Sequence, residues 1–218
     1  MKSVLNIDLP QTLYDLHSEN DHFTLTQVAL LLSFWSPYDT DDRVNRYWVR
    51  EAFHHANAIR LWDPDSDSGA LNSRRLVLWW CCLTRDRLTT CGLRQLHQVQ
   101  EPESMCRELN IMDFGLEVLF PWFIDVPSKR IHLQFFLWLC QLSDIMRSIV
   151  VLSRAIREYQ YLEIDTSNLE AVMEKGNGIS TQLQVWKQLY LEDREGYQRN
   201  APASHNRMLT LILEILYE

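Results

Sequence analysis

The chain has 218 residues, 46% of them apolar, with 29 acidic and 21 basic side chains and a formal net charge of -8. That is ample apolar material for one core, while the acidic balance, with no Lys/Arg run longer than two, argues against docking on a phosphate backbone. There is no Arg-rich leader, signal peptide or uncharged 18-residue run, so neither export nor membrane insertion is expected; a cytosolic or nuclear protein with reduced thiols follows.

Few glycines and prolines punctuate the chain, and its apolar residues recur at spacings of 3 and 4, which predicts an all-α fold. We expect residues 1–19 to form an arm and 20–218 a single compact bundle of about six to seven helices around a long central one. A first helix is expected over 26–35, capped by Thr24 or Thr26 and stopped by Ser36-Pro37. The second, over 44–61, closes at the turn Asp63-Pro64-Asp65. On it Trp48, Ala52, His55 and Ile59 share one side, so His55 faces inward, either as a hydrogen-bonded core histidine or as a group that donates to a ligand carbonyl or moves a proton.

A third helix, over 73–91, carries Arg75, Trp79, Leu83, Asp86 and Thr90 on one face. Asp86 therefore looks inward and needs an arginine or a backbone N–H as partner, because a bare buried carboxylate is very costly. Trp79 and Trp80 point about 100° apart, so one can fill the core while the other lines a groove. After a looser stretch over 92–110, "MDFGLEVLFPWF" reads as a short helix broken before Pro121. The helix over 131–161 is apolar on nearly every side in its first half and is expected to be the central element, about 45 Å long. Two more helices are expected over 180–192 and 204–217.

The stretch Arg74 to Gln95, "RRLVLWWCCLTRDRLTTCGLRQ", combines a basic pair, Trp79-Trp80, Arg85-Asp86-Arg87 and Gly92-x-Arg94. It resembles the signature of the fungal-specific transcription-factor regulatory domain, the middle homology region of fungal zinc-cluster activators. The second helix resembles that family's Trp-x3-Ala-x3-Ala-x3-Gly-Leu-His pattern at Trp48, Ala52, Ala56 and Leu61, with Arg60 in place of the glycine and Trp62 in place of the histidine. "NIMDFG" and "LQVWKQLY", around Leu183, Trp186 and Tyr190, resemble further family segments. The resemblance implies an α-helical bundle. It also leads us to expect a regulatory domain lacking its zinc-cluster DNA reader and the family's C-terminal half.

Cys81, Cys82, Cys91, Cys106 and Cys140 form no paired Cys-x-x-Cys set, so no metal and no cofactor is expected. "DDRVN" at 41–45 lacks the second magnesium cluster of class I terpene synthases, and "DPDSDSG" at 63–69 places glycine and Arg74 wrongly for a calcium loop. Hydrolase, kinase and metalloprotease motifs are absent. Two functions stay open. The first is a small cofactor-independent enzyme that binds a hydrophobic fungal metabolite in an aromatic cavity and promotes a cyclisation or isomerisation, including a pericyclic, Diels-Alder-type closure. That needs little beyond shape and a hydrogen-bond donor. His55, Arg60 and Tyr47 are its candidate catalytic residues, Trp48, Trp79, Trp80, Asp86 and Trp138 its candidate binding residues, and Arg147 a further polar candidate. The second is a non-catalytic ligand-sensing or protein-binding regulatory domain, nuclear rather than cytoplasmic. Neither involves nucleic acid or membrane as a partner, and homo-oligomerisation is compatible with both.

Overall fold

The computed structural model describes residues 12, 14, 19–34, 42–63, 70–93, 97–98, 107–115, 126–161 and 166–198. Among them are five α-helices and no strand: α1 (His22–Leu32), α2 (Asp42–Ala58), α3 (Ala70–Leu93), α4 (Val126–Tyr161) and α5 (Thr166–Gln198), with a 3-10 turn at Ile111–Phe114. The all-α expectation holds. The count falls below six to seven because the short helix expected at 112–123 is seen only as the 3-10 turn, the rest of that stretch from 116 lying outside the described residues, as does the helix expected over 204–217; α5 is also much longer than the 180–192 expected for it. The described residues group into two compact units, one formed by 1–89 with 98–108 and the other by 90–97 with 109–218.

In the first unit α1 packs on α2. Ala29 on α1 and Ala52 and Ala56 on α2 are completely buried, and side chains this small let helix backbones approach closely. The start of α1 differs from expectation. Asp21 is the cap, its carboxylate accepting the Phe23 and Thr24 backbone N–H groups at 3.2 and 3.0 Å, a stronger acceptor for these orphan donors than a threonine hydroxyl. Thr24 instead donates its hydroxyl to Asp21, and Thr26 bonds back to the His22 carbonyl inside the helix.

The exit of α2 is a Schellman turn. Leu61 N–H reaches back to the Ala56 carbonyl at 2.9 Å and Arg60 N–H to the Asn57 carbonyl at 3.0 Å, the paired bonds that satisfy a helix's last carbonyls. Such a turn needs a left-handed residue at its pivot, and Arg60 supplies it at φ 48°. This is the position where the resemblance expects glycine, and it shows why: only glycine takes that conformation without a Cβ clash. From α3, Arg75 donates to the Ile59 and Arg60 carbonyls at 2.6 and 3.1 Å and holds the strained exit closed.

Burial in the first unit concentrates on α3, where Trp79 and Cys82 are fully buried and Leu76, Leu78, Trp80, Leu83, Thr84, Asp86 and Arg87 nearly so. In the second unit α4 and α5 run antiparallel, because Phe135 meets Tyr190 and Leu152 lies against Gly176. The seam on α5 is Val172, Gly176, Ile179, Leu183, Trp186 and Tyr190, while most other positions of the helix are exposed. These spacings of 4, 3, 4, 3 and 4 are those of a coiled-coil contact line. Pro127 opens α4 within its first turn, where its missing N–H costs nothing. By length and composition 126–157 is apolar enough to cross a bilayer, a profile that a helix packed inside a bundle shares. The 3-10 turn packs on α4 through Phe114 and Phe136, and is fixed by a reciprocal Asn110–Asp113 capping box and by Gly115 in the left-handed region.

Replacing Arg60 by glycine should remove the left-handed strain and stabilise the fold by about 1 kcal/mol. In a thermal melt the midpoint of R60G should rise by about 2 to 4 °C; a lowered midpoint would mean that the exposed side chain, through Asp63, matters more than the backbone.

Candidate functional site

Two clusters in the first unit hold most of the residues singled out from the sequence. The first runs along α2. His55 is buried, as its place between Trp48 and Ile59 requires, and His54 beside it is exposed. His55 Nδ1 lies 2.9 Å from His22 Nδ1 on α1, and its Nε2 lies 2.5 Å from the Tyr14 hydroxyl. Tyr14 also packs edge-on against Trp48, and Tyr47 against the same indole. Burial first, then the neighbouring His22 and His54, push the His55 pKa below the usual histidine value. The ring is kept neutral and hydrogen-bonded at both nitrogens, the state of a core histidine. Tyr47 is exposed and holds Arg50 over its ring at 5.3 Å.

The second cluster is the polar face of α3. Asp86 is buried, and its Oδ2 accepts the Gln98 backbone N–H at 2.9 Å, the second of the two kinds of partner its position demands. Arg85 reaches the end of α1, where Nε donates to Ser33 Oγ at 3.0 Å, Nη2 donates to the Ser33 carbonyl, and the guanidinium lies over the Phe34 ring at 4.0 Å. Burial lowers the Arg85 pKa, but a guanidinium stays charged at neutral pH and so complements the negative end of α1. Arg87 is buried with its guanidinium 5.5 Å from the Trp80 ring.

Both tryptophans of the pair are buried. Trp79 packs between Phe53 of α2 and Trp62. Trp80 is covered by the chain at Arg107, whose carbonyl accepts its indole N–H at 3.1 Å. The neighbouring thiols are poor nucleophiles and poor ligands: burial pushes Cys81 up to about 12, and burial with the charges of Cys81 and Asp86 pushes Cys82 well above the ordinary thiol value. Among the described residues no group of three His, Cys, Asp or Glu side chains could hold a metal ion.

Arg60 is exposed and sits 3.7 Å from Asp63 at the exit of α2, where it does not join His55. Trp138 belongs to the second unit, donating to Asp193 at 2.9 Å and packing against Trp186 and Tyr190. Arg147, also in that unit, lies 3.5 Å from Asp144 one turn away. Tyr14, His22, Ser33 and Gln98 complete the clusters and were not singled out from the sequence. Helix periodicity finds which way a residue faces, not the distant residue it meets.

No family model matches the chain, and no solved structure does. Three curated relatives do. A transcription factor of Fusarium pseudograminearum is 34% identical over 109 residues, 49% of this chain and 12% of that protein. Cutinase transcription factor 1 beta of Fusarium vanettenii is 33% identical over 110 residues, again 49% of this chain and 12% of the relative. Cutinase transcription factor 1 alpha of the same organism is 29% identical over 141 residues, 62% of this chain and 15% of the relative. Over about half of its length, then, the chain is homologous to fungal transcription factors. It spans less than one sixth of their length.

Removing the Asp86 carboxylate leaves the Gln98 N–H without its acceptor. Asp86→Ala should therefore destabilise the fold by about 1.5 to 3 kcal/mol, and Asp86→Asn, which keeps an acceptor oxygen, by less. Denaturant melts measure both; an Ala variant as stable as the wild type would show that this contact contributes nothing.

Proposed function

We propose that the protein is a non-catalytic regulatory module of fungal transcription, working in the nucleus through contacts with protein or a small ligand. The observation that carries this is the use made of the signature on α3. Arg75, Trp79, Trp80, Arg85 and Asp86 face helix ends, rings and backbone groups of their own unit. Groups so engaged build a scaffold, and the homology to transcription factors gives that scaffold its setting. Whole relatives are several times longer, so the module would act on an output that other segments or partner chains deliver.

The cyclase reading keeps one observation on its side: a neutral His55 hydrogen-bonded to a phenol beside Trp48. It requires a metabolite to reach that buried ring.

The test is to fuse the chain to a heterologous DNA-binding module and follow a reporter gene. We expect the fusion to change reporter output at least about threefold over the DNA-binding module alone, and R85A, which frees the end of α1, to abolish the change. Unchanged output, together with turnover of hydrophobic polyene or terpenoid metabolites by the purified protein above the buffer rate and its loss in His55→Phe, would replace regulation by catalysis. A catalytic histidine contributes about 10² to 10⁴ in rate, so its loss would be unmistakable.

A further inference from the structure

His22 and His55 bring two imidazoles from different helices together nitrogen to nitrogen, with their Nδ1 atoms 2.9 Å apart. A hydrogen bond across that gap needs an N–H on one side and a lone pair on the other. When both rings are neutral, one tautomer donates and the other accepts. When the pair gains one proton, the imidazolium donates and the bond strengthens. A second proton leaves an N–H on each side of the gap and two positive rings in contact.

The outer nitrogen of His55 does not share this restriction. It faces the Tyr14 hydroxyl, which can donate to a bare Nε2 or accept from a protonated one. Only the Nδ1–Nδ1 contact is therefore sensitive to the number of protons. Among the described residues the other groups acting on His55 are on α2: His54, whose charge opposes protonation, and Glu51, whose charge favours it less strongly. The three rings are close, with centroids 5.1 Å apart for His22 and His55 and 5.2 Å for His54 and His55.

We propose that the His22–His55 pair is a proton-sensitive latch, which fastens the first turn of α1 to α2 while the pair carries at most one added proton and releases it when the pair takes up a second. The neighbouring helix start does not compete for this role. Asp21, which caps it, has its carboxyl held below the usual value chiefly by the Thr24 hydroxyl, so the cap stays ionised throughout the histidine range. The other end of α1 is held by Arg85, whose charge does not change there. His55 adds the sign: with a folded pKa below the unfolded value of about 6.5, its contribution is fully present above that value and is lost as pH falls towards the folded pKa.

The experiment is amide hydrogen exchange on the full chain, corrected for intrinsic rates, at pH 7.5 and 5.0. The Phe23 to Gln27 amides of the wild type should lose at least about tenfold in protection at the lower pH, relative to α3 as internal reference. In H22Q, whose amide can donate or accept without taking a proton, their protection should be nearly equal at the two pH values. Wild-type protection that does not fall, or a fall of the same size in H22Q, overturns the latch. A ring-nitrogen NMR titration of the wild type keeps the idea testable should H22Q not fold. The latch requires the second proton to enter the pair together with the loss of α1 protection, and independent protonation of both rings with α1 intact refutes it.

Discussion

The first unit depends on one constraint: the carbonyls just past the ends of α1 and α2, which the helices' own turns leave over, must find donors, and α3 provides them. Arg85 closes α1 at Ser33, and Arg75 closes α2 at Ile59 and Arg60. The two arginines stand ten residues apart, so a straight α3 sets them about 15 Å from one another. Each brings positive charge to the negative end of a helix, where a guanidinium is favoured over any neutral donor. Between them Trp79 fills the core against Phe53 and Trp62. One helix thus fixes where the other two end, and apolar burial around it holds that arrangement together.

Such an arrangement explains why α3 carries a tryptophan pair and charged residues together. Arginines reaching helix ends from a mostly buried helix must pass through an apolar layer, and a ring such as Phe34 beneath Arg85 offers a favourable surface for the cation. Asp86 faces the opposite problem, a carboxylate placed where water does not reach, and the Gln98 backbone N–H answers it by tying the chain beyond α3 back onto the helix.

How much of this was legible in the sequence follows from the range of each interaction. Inward-facing Trp48, His55, Trp79 and Asp86 could be read from helical periodicity, which is local. The exposed Arg60 at the exit of α2 could be placed at a helix end but not recognised as a left-handed pivot, because its φ is imposed by the Schellman bonds around it. The cap of α1 moved from threonine to Asp21 because the acidic side chain, placed just before the helix start, was the stronger competitor. α5 begins well before the expected residue 180, and Gly176 lies on its seam against Leu152, so the contact line carries the helix through its glycines. The pairings of Arg85 with Ser33 and of His55 with His22 span 52 and 33 residues, and no spacing rule reaches so far. Composition shows aromatic residues enough to wall a cavity, but not which of them are buried, as Trp79 and Trp80 are.

The claim that α3 positions its neighbours through guanidinium contacts is tested most directly by Arg85→Lys, measured by equilibrium denaturation. Lysine keeps the charge but cannot donate to Ser33 Oγ and the Ser33 carbonyl from one rigid plane while lying flat on Phe34. We expect a loss of about 1.5 to 3 kcal/mol, close to that of Arg85→Ala. If Arg85→Lys is as stable as the wild type, charge alone suffices, and the fork of donors that organises this account is not what holds α1 in place.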